Sequence, residues 1–435
     1  MGKETELKNA QELIDFIYDS PSAFHTVNSV KKVLINNGFK ELHEEQHWNL
    51  LKGEKYFVSK NDSAITAFIT GNGEIENSGF KIIGAHTDSP TFRIKPNAEI
   101  VSEGAYVKLN TEVYGGPILN TWMDRPLSVA GRVAIRSENP MQPVIRLVNI
   151  KRPILIIPNL AIHMNREINQ GVALNRQSDM LPVISLVNDQ LEKGNYLLSE
   201  IAKELNVNSK DIIDFDLFLY EFQKGCIFGL NNEFISSGRL DDLTMVHAGL
   251  KSITESEPGL STKVLVCFDN EEVGSSTKQG ADSPMLAGIL ERIVLCLGGG
   301  REEYFRALAN SFIISCDSAH AVHPNRGEKA DPVNRPMINK GPVIKVSASQ
   351  SYTSDSVSSA IYEEICNKAQ VPVQRFVNRS DERGGSTIGP INSTHVNIKS
   401  VDMGTALLAM HSVRETGGVK DHTYTIESFK KFYSI

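Results

Sequence analysis

Apolar residues at the start of the chain recur at helical spacing. One stretch ends before Pro21, a second runs from Val27 to Asn37, and two more lie at 284–297 and 354–370. Each is predicted to be an amphipathic helix because its apolar side chains share one face. In the first stretch that face consists of Leu13, Ile14, Ile17 and Tyr18.

Three short apolar runs end abruptly in charged or polar residues. The runs 81–85, 262–268 and 311–316 are followed by HTDSP, DNEEVG and DSAHAVHPN. Such runs are typical of buried parallel strands that present polar side chains at their carboxyl ends. Because predicted helices lie between them, we expect an α/β sandwich with a mostly parallel central sheet.

The middle of the chain has a different pattern. Segments such as 105–122 alternate apolar and polar residues between turn signals, and a helix is predicted near 195–205. We therefore expect an antiparallel, β-rich insert at 93–236. The α/β domain would then comprise residues 1–92 and 237–435.

The composition is that of an ordinary globular protein. The 435 residues are 40% hydrophobic and 22% charged, and the formal net charge is -7. This charge gives no overall attraction to nucleic acid or to an anionic membrane, so neither partner is expected. No apolar run approaches the roughly 18 residues of a membrane span, and no signal peptide is recognisable. The five cysteines form no CxxC pair, so we expect reduced thiols and a cytoplasmic location.

Ionisable residues cluster after the predicted strands and in two further motifs. The carboxyl ends of neighbouring parallel strands face one crevice, so residues distant in sequence are expected to converge there. Imidazole and carboxylate ligands without a thiolate suit zinc, cobalt or manganese. The candidates are His86, Asp88, Asp241, Asp242, Asp269, Glu271, Glu272, Asp317, His320, His323 and His411.

Each motif alone has a less specific interpretation. A single HxD or DD motif commonly belongs to a solvated loop or a helix cap, and His411 lies in an apolar stretch where it would also fit as a core residue. The sequence DNEEVG is harder to explain without a ligand, because adjacent buried acids repel one another unless a cation neutralises them. Two cations sharing a carboxylate could hold one water, with an acid outside the coordination shell as its base.

Seven motifs, in order along the chain, resemble those of the M18 family of metalloaminopeptidases. They are HTDSP, RLDDL, FDNEEVGS, DSAHAVHPN, GPVIKV, GGSTIGPI and AMHSVRE, and the likeness runs from SPSAFHTV to the C-terminal helix. The resemblance implies a dinuclear-metal α/β catalytic domain interrupted by a β-rich dimerisation domain. It also implies two divalent cations per subunit, zinc in the first place, with cobalt or manganese as alternatives.

The family pattern implies the metal ligands residue by residue. His86 and Asp317 would bind one cation. Glu272 and His411 would bind the other, and Asp241 would bridge the two.

The same pattern implies the catalytic roles. Glu271 would be the general base that passes a proton to the leaving amine. Asp88 would accept the second ring N–H of His86 and so fix its tautomer. His323 would donate a hydrogen bond near the substrate carbonyl, with His320 as the less favoured alternative. Together these roles imply that a metal-bridging hydroxide hydrolyses the N-terminal residue from peptides.

Substrate contacts are implied for three further residues. Lys345 matches the family position that faces an acidic first side chain, so Asp or Glu would be preferred there; a surface lysine at a strand end is the alternative. Tyr352 is kept nearby, although SASQSYTSD is only loosely like the acid-specific members. His163 matches a histidine that reaches a neighbouring subunit's active site, in a family that forms dimers and tetrahedral dodecamers.

Other functions stay open on the sequence alone. A broad or neutral-preferring aminopeptidase, or a related co-catalytic carboxypeptidase or deacylase, would use the same scaffold. A catalytically silent, metal-bound assembly protein would instead lack the base or a ligand, whereas Glu271 and all five ligand positions are kept in this chain.

Overall fold

The chain folds into two compact units. The structure, a computed structural model, describes residues 2–187, 195–382 and 384–435. The first unit contains Met1–Asp88, Gly225–Met410 and Glu415–Ile435, and the second contains Ser89–Lys224 and His411–Arg414.

The bounds of the second unit differ from the expected 93–236. Strand pairing explains the earlier end at Lys224, because the hairpin at 226–237 pairs with residues 415–418 of the first unit. The short segment His411–Arg414 groups with the second unit although it lies far from it in sequence. The spacing of apolar residues along the chain did not predict that this segment groups with the second unit.

The described ranges contain ten α-helices and twenty β-strands. The helices are α1 (Lys3–Tyr18), α2 (Ala23–Asn36), α3 (Ile75–Ser78), α4 (Tyr196–Leu205), α5 (Leu240–Thr254), α6 (Met285–Cys296), α7 (Arg301–Ala309), α8 (Ser356–Ala369), α9 (Ile388–Val396) and α10 (Val419–Ser434). The strands are β1 (Lys40–Leu42), β2 (Lys55–Lys60), β3 (Ala64–Ile69), β4 (Phe80–His86), β5 (Thr91–Ser102), β6 (Tyr106–Tyr114), β7 (Leu127–Ile135), β8 (Val144–Asn149), β9 (Val183–Leu186), β10 (Ile212–Glu221), β11 (Cys226–Phe228), β12 (Phe234–Ser237), β13 (Thr262–Phe268), β14 (Phe312–Cys316), β15 (Ala319–His320), β16 (Val343–Lys345), β17 (Gln374–Phe376), β18 (Lys399–Gly404), β19 (Ala406–Leu407) and β20 (Glu415–Gly418).

A mixed sheet forms the centre of the first unit. Within the described residues its strand order is β1-β2-β3-β13-β4-β14-β18-β16-β17. The four middle strands β13, β4, β14 and β18 are parallel neighbours. The predicted α/β class with a mostly parallel central sheet is therefore confirmed.

Side chains of this sheet alternate between two cores. On β4, Ile83 packs into one core with α1, α2, α5, α8 and α10, and Ile82 packs into the other with α6, α7 and α9. Both faces are covered, which explains why β13 is an uninterrupted apolar run after its first two residues and is buried along its whole length. Because the strands are buried on both faces, their carboxyl ends, which are followed by the predicted site residues, are held in place.

The second unit is an antiparallel, β-rich fold with its own core. Its described strands form a six-stranded sheet in the order β8-β7-β10-β5-β6-β9, and α4 adds Leu197 and Ile201 to the core. The alternating pattern and the helix near 195–205 are thus present as expected, while a role in dimerisation stays a prediction. None of the described helices combines the length and apolar character that crossing a membrane requires.

Candidate active site

Several predicted site residues of the first unit lie at the carboxyl edge of the central sheet. His86 is the last residue of β4. On one side of it lies β13, which is followed by residues 269–272, and on the other side lies β14, which is followed by Asp317. Because parallel strands end at the same edge, the three segments are neighbours.

Three side chains form a group that could hold a metal ion. One ligand atom from each of His86, Asp241 and Glu272 lies within 4.8 Å of the other two. Asp241 comes from the first turn of α5, where its backbone N–H donates to Glu415 Oε2 at 3.0 Å. His86 and Asp241 are buried, with 1% and 3% of their surface exposed. The group therefore contains one predicted ligand of each cation, His86 and Glu272, and the predicted bridging carboxylate of Asp241.

The ring of His86 is oriented by its neighbours. Its Nδ1 lies 3.0 Å from the Asp88 carbonyl oxygen and 3.4 Å from Asp88 Oδ1, and its Nε2 faces Asp241 Oδ1 at 3.8 Å. The carbonyl is therefore the nearer acceptor for the ring N–H. The Asp88 carboxylate accepts the backbone N–H groups of Glu271 and Glu272, each at 3.2 Å. Asp88 thus also fixes the backbone of the two glutamates.

Glu271 lies in a strongly negative environment. Burial raises the pKa of Glu271 to about 8; His86 opposes this rise, and Asp317, Asp88 and Asp241 add to it. Burial and the neighbouring carboxylates thus disfavour the charged form of Glu271, and bound cations would relieve that repulsion.

Lys345 lies beside another predicted ligand. Its Nζ is 3.5 Å from Asp317 Oδ2, donates to Ser318 O at 3.2 Å and lies 5.2 Å from the centroid of the Tyr352 ring. Lys345 is only 2% exposed, so the alternative of a surface lysine is wrong. Although burial alone would lower it, Asp317 and its neighbours raise the pKa of Lys345, which keeps the ammonium charged.

Three other predicted residues are not members of this group. His411 belongs to the segment that groups with the second unit, where its Nδ1 is 3.1 Å from Gly116 O. His163, also in the second unit, is exposed. His323 is an exposed residue of the first unit whose Nδ1 accepts the Asn325 N–H at 3.2 Å. That bond leaves the ring proton on Nε2, the tautomer that the predicted donor role requires.

Two further carboxylates support the group, and only Asp242 was among the candidates named from the sequence. Asp242 Oδ2 accepts the backbone N–H of His86 at 3.2 Å, and Glu415 holds the backbone of Asp241. Both are buried, with 0% and 2% of their surface exposed. Glu415 was not identified from the sequence, although it is the last residue of the motif AMHSVRE.

Asp402 connects two loops near Lys345. It lies on β18 and is completely buried; Oδ2 accepts the Thr353 N–H at 2.5 Å and Oδ1 accepts the Thr387 hydroxyl at 2.9 Å. Because Thr353 directly follows Tyr352, this carboxylate fixes the segment that carries the tyrosine. No motif around Asp402 pointed to it.

The donor set fits a divalent cation. Burial raises the pKa of Asp317 to about 6, and the Asp241 carboxylate adds to the rise while Lys345 opposes it. This pattern indicates buried carboxylates that repel one another. A divalent cation would relieve the repulsion, and an imidazole with carboxylate oxygens is a donor set that suits zinc.

Comparison with known proteins gives a consistent result along the chain. The sequence matches the family profile described as "Aminopeptidase I zinc metalloprotease (M18)" over residues 16–433. It is 67% identical to a probable M18 family aminopeptidase 2 from Clostridium novyi, over 99% of this chain and 100% of that relative.

Solved structures agree with the sequence comparison. A chain in the cryo-EM structure of the Ape4 and Nbr1 complex is 36% identical and superposes with a TM-score of 0.95, over 100% of this chain and 87% of that chain. The S. cerevisiae mApe1 dodecamer structure is 28% identical with a TM-score of 0.83, over 98% of this chain and 96% of that chain. This chain therefore belongs to the M18 family of aminopeptidases, hydrolases whose family description is that of zinc metalloproteases.

Proposed function

We propose that this protein is a dinuclear metalloaminopeptidase that removes one N-terminal residue from peptides and prefers Asp or Glu at that position. The observation that carries the proposal is the group of buried His86 and Asp241 with half-buried Glu272, together with the ion pair of Lys345 and Asp317 at the same sheet edge. The first offers metal donors, and the second offers a positive charge for an acidic side chain.

Five side chains would hold the two cations. His86 and Asp317 would hold one, Glu272 and His411 the other, and Asp241 both. When bound, the cations would supply a bridging hydroxide as the nucleophile at neutral pH, with zinc as the first candidate and cobalt or manganese as alternatives.

The ring orientations of the two histidines support their roles. His86 Nδ1 lies at hydrogen-bond distance from the Asp88 carbonyl, and His411 Nδ1 lies at the same kind of distance from the Gly116 carbonyl. A neutral ring that donates from Nδ1 carries its lone pair on Nε2. Each ring is therefore oriented so that it could donate from Nδ1 and bind a metal ion through Nε2.

Glu271 would act as general base. It would take the proton of the nucleophile and pass it to the leaving amine. The Asp88 carboxylate would keep Glu271 in place through the backbone N–H. His323 would donate from Nε2 to the developing oxyanion.

The buried ammonium of Lys345, close to the ring of Tyr352, would bind the acidic side chain of the substrate. A second candidate is an aminopeptidase that prefers neutral residues. It is favoured by one observation: Lys345 already faces Asp317 at 3.5 Å, which reduces the attraction left for a substrate carboxylate.

The substrate assay decides between these candidates. We expect the protein to hydrolyse aspartyl and glutamyl p-nitroanilides with a higher kcat/KM than the leucyl compound. A chelator is expected to abolish all activity, and added zinc, cobalt or manganese to restore it, because the nucleophile depends on the cations. The measurement is kcat/KM for three substrates before chelation, after it and after metal addition.

Metal content and folding are measured on the same samples. Two metal ions per subunit are expected before chelation, and an unchanged circular dichroism spectrum after it would exclude unfolding as the cause of inactivity. Activity that survives removal of the metal would refute the mechanism, and a leucyl preference would support the second candidate.

We also propose that the protein self-associates into dimers and a dodecamer in the cytoplasm. The S. cerevisiae relative is described as a dodecamer. Exposed apolar side chains flank His163, namely Leu160, Ile162 and Met164 with 58%, 47% and 74% of their surface exposed; such patches commonly mark protein interfaces. All five cysteines are free thiols, which supports a reducing compartment.

Subunit complementation tests whether His163 serves a neighbouring subunit. His163→Ala and Glu271→Gln are each expected to be nearly inactive alone. When the two are unfolded and refolded together, about a quarter of the sites would combine an intact Glu271 with an intact His163 from the partner. Recovery of activity to that level supports the proposal, whereas a mixture no more active than its components contradicts it.

A further inference from the structure

A cavity of about 820 Å³ in the first unit is lined by five lysines. It lies at the amino ends of β4 and β13, whereas the candidate active site lies at their carboxyl ends. Lys81 precedes His86 by five residues, a distance of about 17 Å along the strand. We call this feature the lysine cavity; its lysines are Lys81, Lys263, Lys368, Lys430 and Lys431.

Two of these lysines are direct neighbours. Lys81 and Lys263 are paired in register on adjacent parallel strands, so their side chains leave the sheet on the same face. Lys263 is 5% exposed and donates to the Glu257 carbonyl oxygen. For Lys81, no hydrogen bond or ion pair is formed with any residue in the described ranges.

The charges around the cavity do not balance. Lys430 is paired with Glu255 at 2.5 Å and with Glu427 at 3.5 Å. Five lysines, three glutamates and the carboxylate of the last residue, Ile435, line the cavity, which leaves one positive charge in excess. Glu257 faces Lys263, so the unbalanced charge on the floor of the cavity is that of Lys81.

Both floor lysines are in an unfavourable environment. Burial and the neighbouring Lys263 lower the pKa of Lys81 to about 8, and burial lowers the pKa of Lys263. The ends of α5, α8 and α10 contribute residues to the lining, and helix C-termini carry partial negative charge. That charge is only about half an elementary charge per helix and is screened within a turn, so it offsets the repulsion in part.

We propose that the lysine cavity binds the phosphate group of a small phosphorylated molecule, with Lys81 and Lys263 as its principal ligands. A phosphate dianion matches two adjacent ammonium groups in charge and offers several acceptor oxygens. The volume exceeds that of a phosphate ion, which leaves room for an attached organic group. This site is separate from the proposed catalytic function and does not depend on it.

Calorimetric titration with inorganic phosphate tests the proposal on the metal-loaded protein at constant ionic strength. Lys81→Gln removes one charge from the floor and is expected to weaken phosphate binding by roughly tenfold or more. Lys263→Met is expected to do the same. Lys210→Gln removes the same charge from an exposed position in the second unit and is expected to bind phosphate as the wild type does.

A phosphate ion could also bind at metal ions of the active site. Inhibition of peptidase activity reports on that event, and its inhibition constant is expected to be equal in the wild type and in Lys81→Gln. Thermal unfolding of each variant verifies that it folds. The proposal is overturned if the wild type gives no phosphate-dependent heat. It is also overturned if a properly folded Lys81→Gln binds phosphate with wild-type affinity. That second result would be expected if the lysines only neutralise the partial negative charge of the helix C-termini.

Discussion

Glu271→Gln is expected to lower the kcat of the aminopeptidase by roughly two to four orders of magnitude, the usual contribution of a general base. Gln has nearly the same size and can keep the backbone hydrogen bond to Asp88, but its amide cannot accept and release the proton. The measurement is kcat on the best aminoacyl p-nitroanilide, with metal content determined on the same preparation. Metal content is expected to stay at the wild-type value, because Glu271 is placed outside the ligand set.

A matched control separates the loss of the base from the loss of a charge. Glu302→Gln makes the same change on the exposed surface of α7 and is expected to leave kcat unchanged. Turnover of Glu271→Gln within tenfold of the wild type would eliminate Glu271 as the base. Loss of metal from this variant would instead assign Glu271 to the ligands.

Lys345→Met is expected to reduce the ratio of kcat/KM for aspartyl over leucyl substrates by roughly two orders of magnitude or more. The variant keeps the apolar stem and removes the ammonium, so a substrate carboxylate would be buried without a partner, and sites built for a polar group discriminate strongly when it is unpaired. Because Lys345 also faces Asp317, both substrates will lose some activity. The ratio removes that common loss and reports specificity alone.

The control for this variant is Lys340→Met. Lys340 precedes the same strand and is exposed, so its loss is expected to change neither kcat/KM nor the ratio. An unchanged ratio in Lys345→Met would contradict the assignment of Lys345 to substrate recognition. A higher ratio would indicate that Lys345 repels, and does not attract, the acidic substrate.

The pattern of apolar residues was sufficient to predict the elements of the first unit. The run 262–268 corresponds residue for residue to β13, and the helix expected at 284–297 appears as α6 at Met285–Cys296. These segments are buried on two faces or along one stripe, and such burial leaves a periodic signature in the sequence. At the ends of elements the signature weakens: Tyr18, expected on the buried face of α1, is its last residue and is 36% exposed.

The sequence also indicated candidate site residues, because the acids and imidazoles directly follow buried strands. Parallel strands share an edge, so the sequence alone is enough to expect His86 and Asp317 near each other. The supporting residues could not be expected in the same way. Asp402 lies on an ordinary buried strand, and only folding brings its carboxylate to the backbone of Thr353.

By itself, the sequence determined the fold class and the family and predicted a set of metal ligands, since these depend on local periodicity and on residue types at fixed motif positions. Only the tertiary structure decided which charged side chains lie next to each other. It paired the buried ammonium of Lys345 with Asp317 and set Lys81 next to Lys263 through strand register. Contacts between residues far apart in the chain depend on how strands are ordered and aligned in a sheet, and no local pattern records that order.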